Sequence, residues 1–370
     1  MATATLDVGP LGLENPMGTD GFEFVEYAAP DPELLRSLFT KMGFPAVAKH
    51  KRKDVTLHRQ GDINFIINAE PGSFAEQFAK DHGPCACAMA FRVKDAAKAH
   101  ARALDLGATN VESDAAEGEL RIPAIEGIGG SRLYLVDTYG AKGTIYDTDF
   151  NFFPDAAEKE ASHASHLVYL DHLTHNVHRG RMAYWADFYE RIFNFRQIRY
   201  FDIEGKLTGL FSKALTSPDG KIRIPINESA DEKSQIEEYL RDYKGEGIQH
   251  VASGCRDIYE TVSTLLERGL EFMPAPPDAY YDKVDQRLPN HGESIERLRD
   301  LGLLIDGEGV VEGSETKVLL QIFSKNVIGP IFFEFIPRKG DEGFGEGNFK
   351  ALFESIEEDQ IQRGVIGGDA

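Results

Sequence analysis

Cysteine is scarce in this 370-residue chain, which has three: Cys85, Cys87 and Cys255. Three thiols are too few, and odd in number, to form the disulfide framework of a secreted protein. Cys85 and Cys87 alternate with alanine in an apolar run, so on a strand both side chains lie on one face. The run offers no further metal ligands. We predict that both cysteines are small buried side chains in a protein kept in a reducing compartment.

Long apolar runs and an excess of positive charge are missing as well. No run approaches the roughly 20 apolar residues of a membrane-spanning helix. The N-terminus lacks the basic segment and apolar core of a secretory signal. The formal net charge of −21 disfavours binding to nucleic acid or anionic membranes, both of which need basic patches. The sequence therefore predicts a soluble, cytoplasmic protein with neither nucleic-acid nor membrane partners.

The main architectural signal is a unit of one strand, one helix and several strands that recurs along the chain. Residues 21–27 alternate like a strand, Asp31 and Pro32 begin a helix that ends at Gly43, and further strands follow. The same order returns from residues near 87, 170 and 248. Because the length of the chain exceeds what one hydrophobic core usually serves, we predict an α+β protein. It would have four βαβββ modules in two pseudo-domains, each an open half-barrel sheet.

The two halves can be aligned through their helices and late strands. The helices that begin at Asp95 and Asp257 give a sequence offset of 162 (257 − 95). The strands that end at Asp147 and Glu334 give a larger offset of 187 (334 − 147). The difference between the two offsets, 25, predicts an insertion within residues 273–304, whose prolines suit an ordered excursion near a functional site.

The aligned halves differ at three strand positions. The second half has His172, His250 and Glu334. The first half has Phe24, Ala88 and Asp147 at these positions, with Phe24 aligned to within about three residues. A single histidine at a strand edge is usually exposed or hydrogen-bonded to a neighbour, and a buried salt bridge is the ordinary explanation for Glu334. However, Glu334 lies in an apolar run where an ionised carboxylate needs a cation.

A metal ion would account for all three residues at once. Two histidines and one carboxylate leave three open positions on an octahedral ion, which favours non-haem Fe(II) and dioxygen. Zinc with the same ligands would serve hydrolysis, but the chain has no general base at HExxH spacing. His175 is three residues from His172, so on a strand it faces the opposite side.

Short motifs in the second half carry a more specific signal. They are LDHLTHN (170–176), PINE (225–228), GIQHV (247–251), LLQIF (319–323), FFE (332–334) and GFGEGNFKALF (343–353). As an ordered set, they make the chain resemble the 4-hydroxyphenylpyruvate dioxygenases, a family within the vicinal-oxygen-chelate group of βαβββ metalloenzymes. The resemblance covers nearly the whole chain and is densest after residue 168.

The resemblance implies an enzyme with one Fe(II) per subunit, held by His172, His250 and Glu334. It implies that 4-hydroxyphenylpyruvate chelates the iron through its own 2-oxo acid group, that dioxygen is consumed and that carbon dioxide is released. Ring hydroxylation with migration of the side chain would then give homogentisate, in the breakdown of tyrosine and phenylalanine. The family also implies a homo-oligomer, either a tetramer or a dimer.

The resemblance assigns the rest of the pocket residue by residue. Catalytic or orienting roles are implied for Ser212, Asn227, Gln235, Gln249 and Gln321. A place in the substrate pocket is implied for Pro225, Phe323, Phe332, Phe344, Asn348, Phe349 and Phe353. Flat rings and amides suit a phenol with an oxo-acid tail, although one phenylalanine taken alone is more often part of a core. An amphipathic helix over 348–362 would close over the site as a gate.

The predicted boundaries follow from the repeat and the motifs. They are a loose leader (1–20), a non-catalytic pair of modules (21–155), a linker (156–167), a catalytic pair (168–340) and a glycine turn with the gating helix and tail (341–370). Three alternatives stay open at this point. They are a 4-hydroxymandelate synthase, which would oxidise the benzylic carbon of the same substrate, a non-catalytic binding protein, and a zinc hydrolase.

Overall fold

The computed structural model describes residues 9–205, 207–308 and 316–364. Within these ranges the chain forms two sheets of nine strands each, one from Thr19 to Phe152 and the other from Leu167 to Lys339. Residues 1–8 of the predicted leader and 365–370 of the predicted tail lie outside the described residues. The predicted α+β architecture is confirmed.

The first half contains two βαβββ modules with a helix between them. Its elements are β1 (Thr19–Ala28), α1 (Pro32–Lys41), β2 (Ala46–His50), β3 (Val55–Gln60), β4 (Ile63–Asn68), α2 (Phe74–His82), β5 (Cys85–Val93), α3 (Ala96–Asp105), β6 (Asn110–Val111), β7 (Ala124–Glu126), β8 (Arg132–Val136), α4 (Ile145–Asp149), β9 (Phe150–Phe152) and α5 (Ala156–His163). The strand order is β6-β7-β8-β5-β1-β4-β3-β2-β9.

The second half repeats this arrangement and extends it. Its elements are β10 (Leu167–Val177), α6 (Met182–Phe193), β11 (Arg196–Glu204), β12 (Gly209–Thr216), β13 (Arg223–Ser229), α7 (Gln235–Tyr243), β14 (Gly247–Cys255), α8 (Ile258–Glu267), α9 (Asp278–Tyr281), α10 (Val284–Arg287), α11 (Ile295–Asp300), β15 (Leu304–Glu308), β16 (Lys317–Phe323), β17 (Phe332–Ile336), β18 (Arg338–Lys339) and α12 (Glu346–Gln362). The order β15-β16-β17-β14-β10-β13-β12-β11 corresponds to β6 through β2 of the first sheet, and β18 pairs with β16.

Strand pairing aligns the halves more closely than the sequence did. In the first half Phe24 pairs with Ala90, and in the second His172 pairs with Ala252. The step from Ala90 to Ala252 is 162 (252 − 90), the same offset that the helices predicted. Phe24 is therefore the counterpart of His172 without any slip.

The predicted match of Asp147 with Glu334 is wrong. Ala90 pairs with Tyr134 as Ala252 pairs with Glu334, so the true counterpart of Glu334 is Tyr134. The offset is then 200 (334 − 134), which makes the insertion longer than predicted, 38 (200 − 162) instead of 25. Asp147 does not lie on a strand. It lies in the first turn of α4, where its carboxylate accepts a hydrogen bond from the Thr144 amide and caps the helix.

The sequence interpretation also missed structure at three places. Residues 15–19 of the predicted loose leader are ordered against the body, because Met17 is buried and Asn15 binds Thr19 at the start of β1. Helices α2 and α7 were not predicted, although Ser73 and Ser234 each precede a glutamate by three residues, the spacing of a capping box. The predicted linker contains α5.

One hydrophobic core joins the halves. Strand alternation sends every second side chain of each sheet towards the helices and the other half, and the aromatic residues on these faces meet. Phe65 of β4 lies 5.9 Å from Phe333 of β17, and Phe91 of β5 lies 5.4 Å from Phe193 of α6, measured between ring centroids. The opposite, concave face of each sheet is therefore free to line a cavity.

Cys85 and Cys87 are buried and unbridged on β5, as predicted. Burial raises the pKa of the Cys85 thiol to about 12, so it stays protonated and unreactive at neutral pH. Among the described helices, none is both long enough and apolar enough to cross a membrane.

Buried His58 on β3 predicts a loss of stability in weak acid. Burial lowers its pKa to about 4, although its Nδ1 donates a hydrogen bond to the Phe44 carbonyl. A lowered pKa means that the stabilisation is complete above the unfolded value of about 6.5 and is lost as pH falls from there towards 4. We expect this group to cost about 2 kcal/mol between pH 7.5 and pH 5.

Urea unfolding at the two pH values checks this expectation. His58→Asn keeps a neutral donor near the Phe44 carbonyl and cannot take up the proton. The variant starts from a lower stability, but its pH-dependent loss should be about 2 kcal/mol smaller than that of the wild type. An equal loss in both proteins would show that His58 is not the group responsible.

Candidate metal centre

Three neighbouring strands bring the predicted ligands together. His172 on β10 and Glu334 on β17 both pair with Ala252 of β14, one from each side. His250 lies two residues before Ala252, so its side chain is on the same face of the sheet. The small side chain of Ala252 leaves room between the two flanking ligands.

The three side chains converge on one point. His172 Nε2 lies 3.1 Å from Glu334 Oε2 and 3.3 Å from His250 Nε2, and His250 Nε2 lies 3.4 Å from Glu334 Oε2. All three residues are buried. Within the described ranges, they are the single group of three or more histidine, cysteine or acidic residues with metal-binding geometry.

Hydrogen bonds at Nδ1 of both histidines leave their Nε2 atoms suited to binding a metal. His172 Nδ1 donates to Asp171 Oδ1 at 2.8 Å, and His250 Nδ1 donates to Gln249 Oε1 at 3.0 Å. With Nδ1 protonated in both rings, both Nε2 atoms present lone pairs towards Glu334. Three lone-pair donors this close together are stable around a cation.

The electrostatics of the centre show which of its groups carry charge. Burial alone would raise the pKa of Glu334, but the two imidazoles bring it to about 2, so the carboxylate is ionised. Burial opposes protonation of His172, yet Glu334 and Asp171 outweigh it and raise that pKa. Burial lowers the pKa of His250, and Glu334 only partly offsets the effect. Glu334 is thus a buried anion, and its positive partner is either a proton on His172 or a bound metal cation.

A buried ion pair supports His172 from behind. Fully buried Asp171 accepts hydrogen bonds from Arg338 Nε at 2.7 Å and from Arg338 Nη2 at 2.8 Å. Burial would raise the pKa of Asp171, but Arg338 holds it well below its usual range. Arg338 Nη1 also donates to the carbonyls of Asp341 and Gly343. The predicted ligand His172 is therefore tied to the turn that precedes α12.

A small cavity of about 30 Å³ lies beside the three ligands. Phe201 and Phe344 line it on one side and also line an outer cleft of about 830 Å³. The ring of Phe344 packs edge-on against His172, with 5.4 Å between centroids. The inner space is smaller than substrate-sized ligands require, and these two rings lie at its boundary with the cleft.

Comparison with known proteins identifies the family. The family described as hydroxyphenylpyruvate dioxygenase, N-terminal, matches residues 13–151 of this chain. The glyoxalase/bleomycin resistance protein/dioxygenase superfamily matches residues 169–288. A 4-hydroxyphenylpyruvate dioxygenase of Pseudomonas aeruginosa is 60% identical, over 97% of this chain and 99% of the relative. The chain belongs to the 4-hydroxyphenylpyruvate dioxygenase family. It is therefore an enzyme of an iron-dependent dioxygenase family.

Two further relatives show how wide the similarity extends. The Vibrio vulnificus protein named hemolysin VllY is 62% identical, over 95% of this chain and 98% of the relative. A solved structure of a mutant 4-hydroxymandelate synthase from Streptomyces coelicolor is 25% identical, with a TM-score of 0.78. The match covers 93% of this chain and 100% of that chain.

Six of the pocket residues implied by the dioxygenase family line the inner cavity: Ser212, Pro225, Asn227, Gln321, Phe323 and Phe344. Ser212 Oγ and Asn227 Oδ1 are buried and make no hydrogen bond within the described residues. The role that the resemblance implies for these two residues stays a prediction. Thr174, whose Oγ1 lies 2.9 Å from His250 Nε2, also lines the cavity.

The other implied residues lie around the cavity or away from it. Phe332 stacks on the ring of His250, with 4.8 Å between centroids, and Gln249 holds His250 Nδ1. Asn348 of α12 donates to Gln321 Oε1 at 2.9 Å, and Gln321 Nε2 donates to Glu334 Oε1 at 2.8 Å. Asn348 therefore contacts the centre through Gln321.

Gln235 and Phe353 are buried outside the cavity lining. Gln235 begins α7, and Phe353 of α12 packs in the core beside Gly205. The side chain of Phe349 lies outside the described residues. The functional roles of these three residues stay predictions.

Sequence interpretation missed four residues of the centre: Thr174, Asp171, Arg338 and Phe201. Two of them carried a usable signal. Thr174 is two residues beyond His172 and so shares its strand face, and Asp171 directly precedes a buried histidine that needs an acceptor. Arg338 and Phe201 had none, because they reach the centre only through the pairing of distant strands.

Proposed function

We propose that the protein converts 4-hydroxyphenylpyruvate and dioxygen to homogentisate and carbon dioxide on one Fe(II) per subunit. His172, His250 and Glu334 would hold the iron, which supplies the redox chemistry with dioxygen. The observation that carries the proposal is the convergence of these three side chains within 3.4 Å, in a chain 60% identical to a 4-hydroxyphenylpyruvate dioxygenase. The reaction belongs to the breakdown of tyrosine and phenylalanine.

The cavity walls supply binding and orientation. Phe323 and Phe344 offer ring faces and edges to a planar substrate, and Ser212 Oγ and Asn227 Oδ1 offer polar contacts that the protein itself leaves unused. Substrate binding would satisfy these buried groups, whose desolvation is otherwise uncompensated. The dry walls keep water from the reacting groups.

The turn before α12 serves as the gate of this site. Gly345 has a φ of 65°, and a Cβ added there would lie 2.5 Å from Gln321 Oε1, so only glycine lets the turn approach so closely. Phe344 of the same turn closes the cavity, and Asn348 connects α12 to Glu334 through Gln321. Withdrawal of this turn together with α12 would open the centre to the outer cleft and release the hydrogen bond that Asn348 donates to Gln321.

Oxygen uptake with Fe(II) and 4-hydroxyphenylpyruvate, followed by identification of the product, tests the proposal. We expect one dioxygen consumed per homogentisate formed. A 4-hydroxymandelate product would instead assign benzylic oxidation, the activity that the more distant structural neighbour is named for. Turnover without oxygen uptake would rule out both outcomes. Zn(II) in place of Fe(II) is the control and should support no uptake.

A further inference from the structure

The first sheet encloses a cavity of about 310 Å³ on its concave face. Strand pairing shows that it occupies the place that the metal centre occupies in the second half. Val55 pairs with Asn68 on β3 and β4 as Ser212 pairs with Asn227 on β12 and β13. Asn68 is thus the counterpart of Asn227, and both line their cavities.

The same pairing relates further wall positions. Glu26 pairs with Ala88 as Thr174 pairs with His250, so Glu26 stands where the second half has the threonine beside a metal ligand. The remaining wall counterparts that line the first cavity are Phe24, Val55, Ile66, Ile122, Ala124 and Tyr134. The first half has Phe24, Ala88 and Tyr134 at the positions of the three predicted metal ligands. The first cavity therefore corresponds in position to the metal centre but lacks its metal-binding side chains.

The polar groups of this cavity are incompletely satisfied. Glu26 is 9% exposed, and its Oε1 accepts a hydrogen bond from Asn68 at 2.7 Å. Burial raises its pKa in spite of Asn68 and the more distant Arg132. The Arg132 guanidinium is engaged elsewhere, because its Nη1 donates to Asp114 and to the Tyr134 hydroxyl, both at 3.2 Å. Glu26 therefore lacks a cation in contact with it among the described residues.

A second carboxylate in the wall points to the same chemistry. The Glu119 side chain is 5% exposed; one oxygen binds Lys53 at 2.9 Å, and the other, Oε1, is buried without a hydrogen bond in the described structure. Acidic residues outnumber basic ones along the whole lining: Glu26, Glu70, Glu112, Asp114, Glu119 and Asp149 against His50, Lys53 and Arg132. Phe24, Tyr134 and Phe150 supply ring surfaces.

We propose that this cavity is a second small-molecule site, which binds a primary ammonium group on an aromatic body. The ammonium would pair with Glu26 next to the Asn68 amide, where it supplies the missing cation. The body would pack against Phe24 and Tyr134. The site is distinct from the metal centre and uses none of its residues.

Calorimetric titration of the iron-loaded enzyme with 2-phenylethylamine tests this site. We expect saturable binding that is about tenfold or more weaker in Glu26→Gln, because the charge-assisted hydrogen bond is lost. The matched control Glu117→Gln removes one exposed carboxylate outside the cavity and should bind as the wild type does. Glu334→Gln, compared with the wild type when both are free of iron, should also leave amine binding unchanged.

Three results would overturn the proposal. They are no saturable binding up to about 10 mM amine, equal binding of the uncharged analogue 2-phenylethanol, and undiminished binding by Glu26→Gln. A crystal soaked with 2-phenylethylamine gives a readout that does not depend on how the variant folds. Amine density beside Glu26 supports the site, and density only elsewhere rejects it.

Discussion

Glu334→Gln is expected to give a folded protein without bound iron, in which turnover of 4-hydroxyphenylpyruvate falls by about three orders of magnitude or more. The amide keeps the shape of the side chain and its contact with Gln321, but it removes the charge that attracts the cation. The remaining pair, His172 and His250, offers two neutral donors. Iron content after gel filtration and oxygen uptake measure the two effects separately.

Glu267→Gln is a matched control for this experiment. Glu267 is exposed on α8, so the substitution makes the same chemical change away from the centre. It should retain iron and activity. Iron bound at full stoichiometry by Glu334→Gln, with normal turnover, would contradict the assignment of Glu334 as a ligand.

The second large effect is expected for Asp171→Asn, which breaks the buried pair behind His172. Loss of the carboxylate leaves Arg338, whose side chain is 5% exposed, without its bidentate partner. Breaking a buried pair on one side costs about 3–5 kcal/mol of stability. The acceptor that fixes the proton on His172 Nδ1 is also weakened, and we expect iron affinity to fall about 10- to 100-fold. Urea unfolding of the iron-free protein and iron titration measure these effects.

The double variant Asp171→Asn, Arg338→Met separates the two causes. Removing the unpaired guanidinium should restore much of the lost stability, since the charge that lost its partner is no longer buried. Iron affinity should stay low, because His172 still lacks its carboxylate acceptor. If affinity recovers together with stability, Asp171 acts through the fold alone and does not position His172.

The alternation of strands made much of the centre predictable. His172 and His250 stood out because each interrupts an apolar strand whose counterpart, at Phe24 or Ala88, is apolar. Glu334 stood out because it interrupts an apolar strand, although its supposed counterpart Asp147 was wrong. Counting along the sequence across a turn cannot locate a counterpart when one half carries a long insertion, whereas strand pairing can.

Other features lay beyond sequence reasoning for a physical reason. The contact of Arg338 with Asp171 joins two positions that are far apart in the sequence, and neither belongs to a local pattern. The position of Phe201 at the inner cavity depends on where β11 lies beside the turn before α12. The first-half cavity was overlooked because Glu26, in the strand of residues 21–27, has the ordinary spacing of a solvent-facing residue, and only the curl of the sheet buries it.

The contact of Phe333 with Phe65 limits whether the first half of the enzyme can be removed, by truncation or in evolution. Phe333 directly precedes the ligand Glu334 and points the other way, into the aromatic core shared with the first half. A catalytic half expressed as a separate fragment would expose this ring to water, on the strand that carries the carboxylate. The duplicated half that lacks the ligands is therefore hard to delete, because it forms the back wall of the strand that bears Glu334.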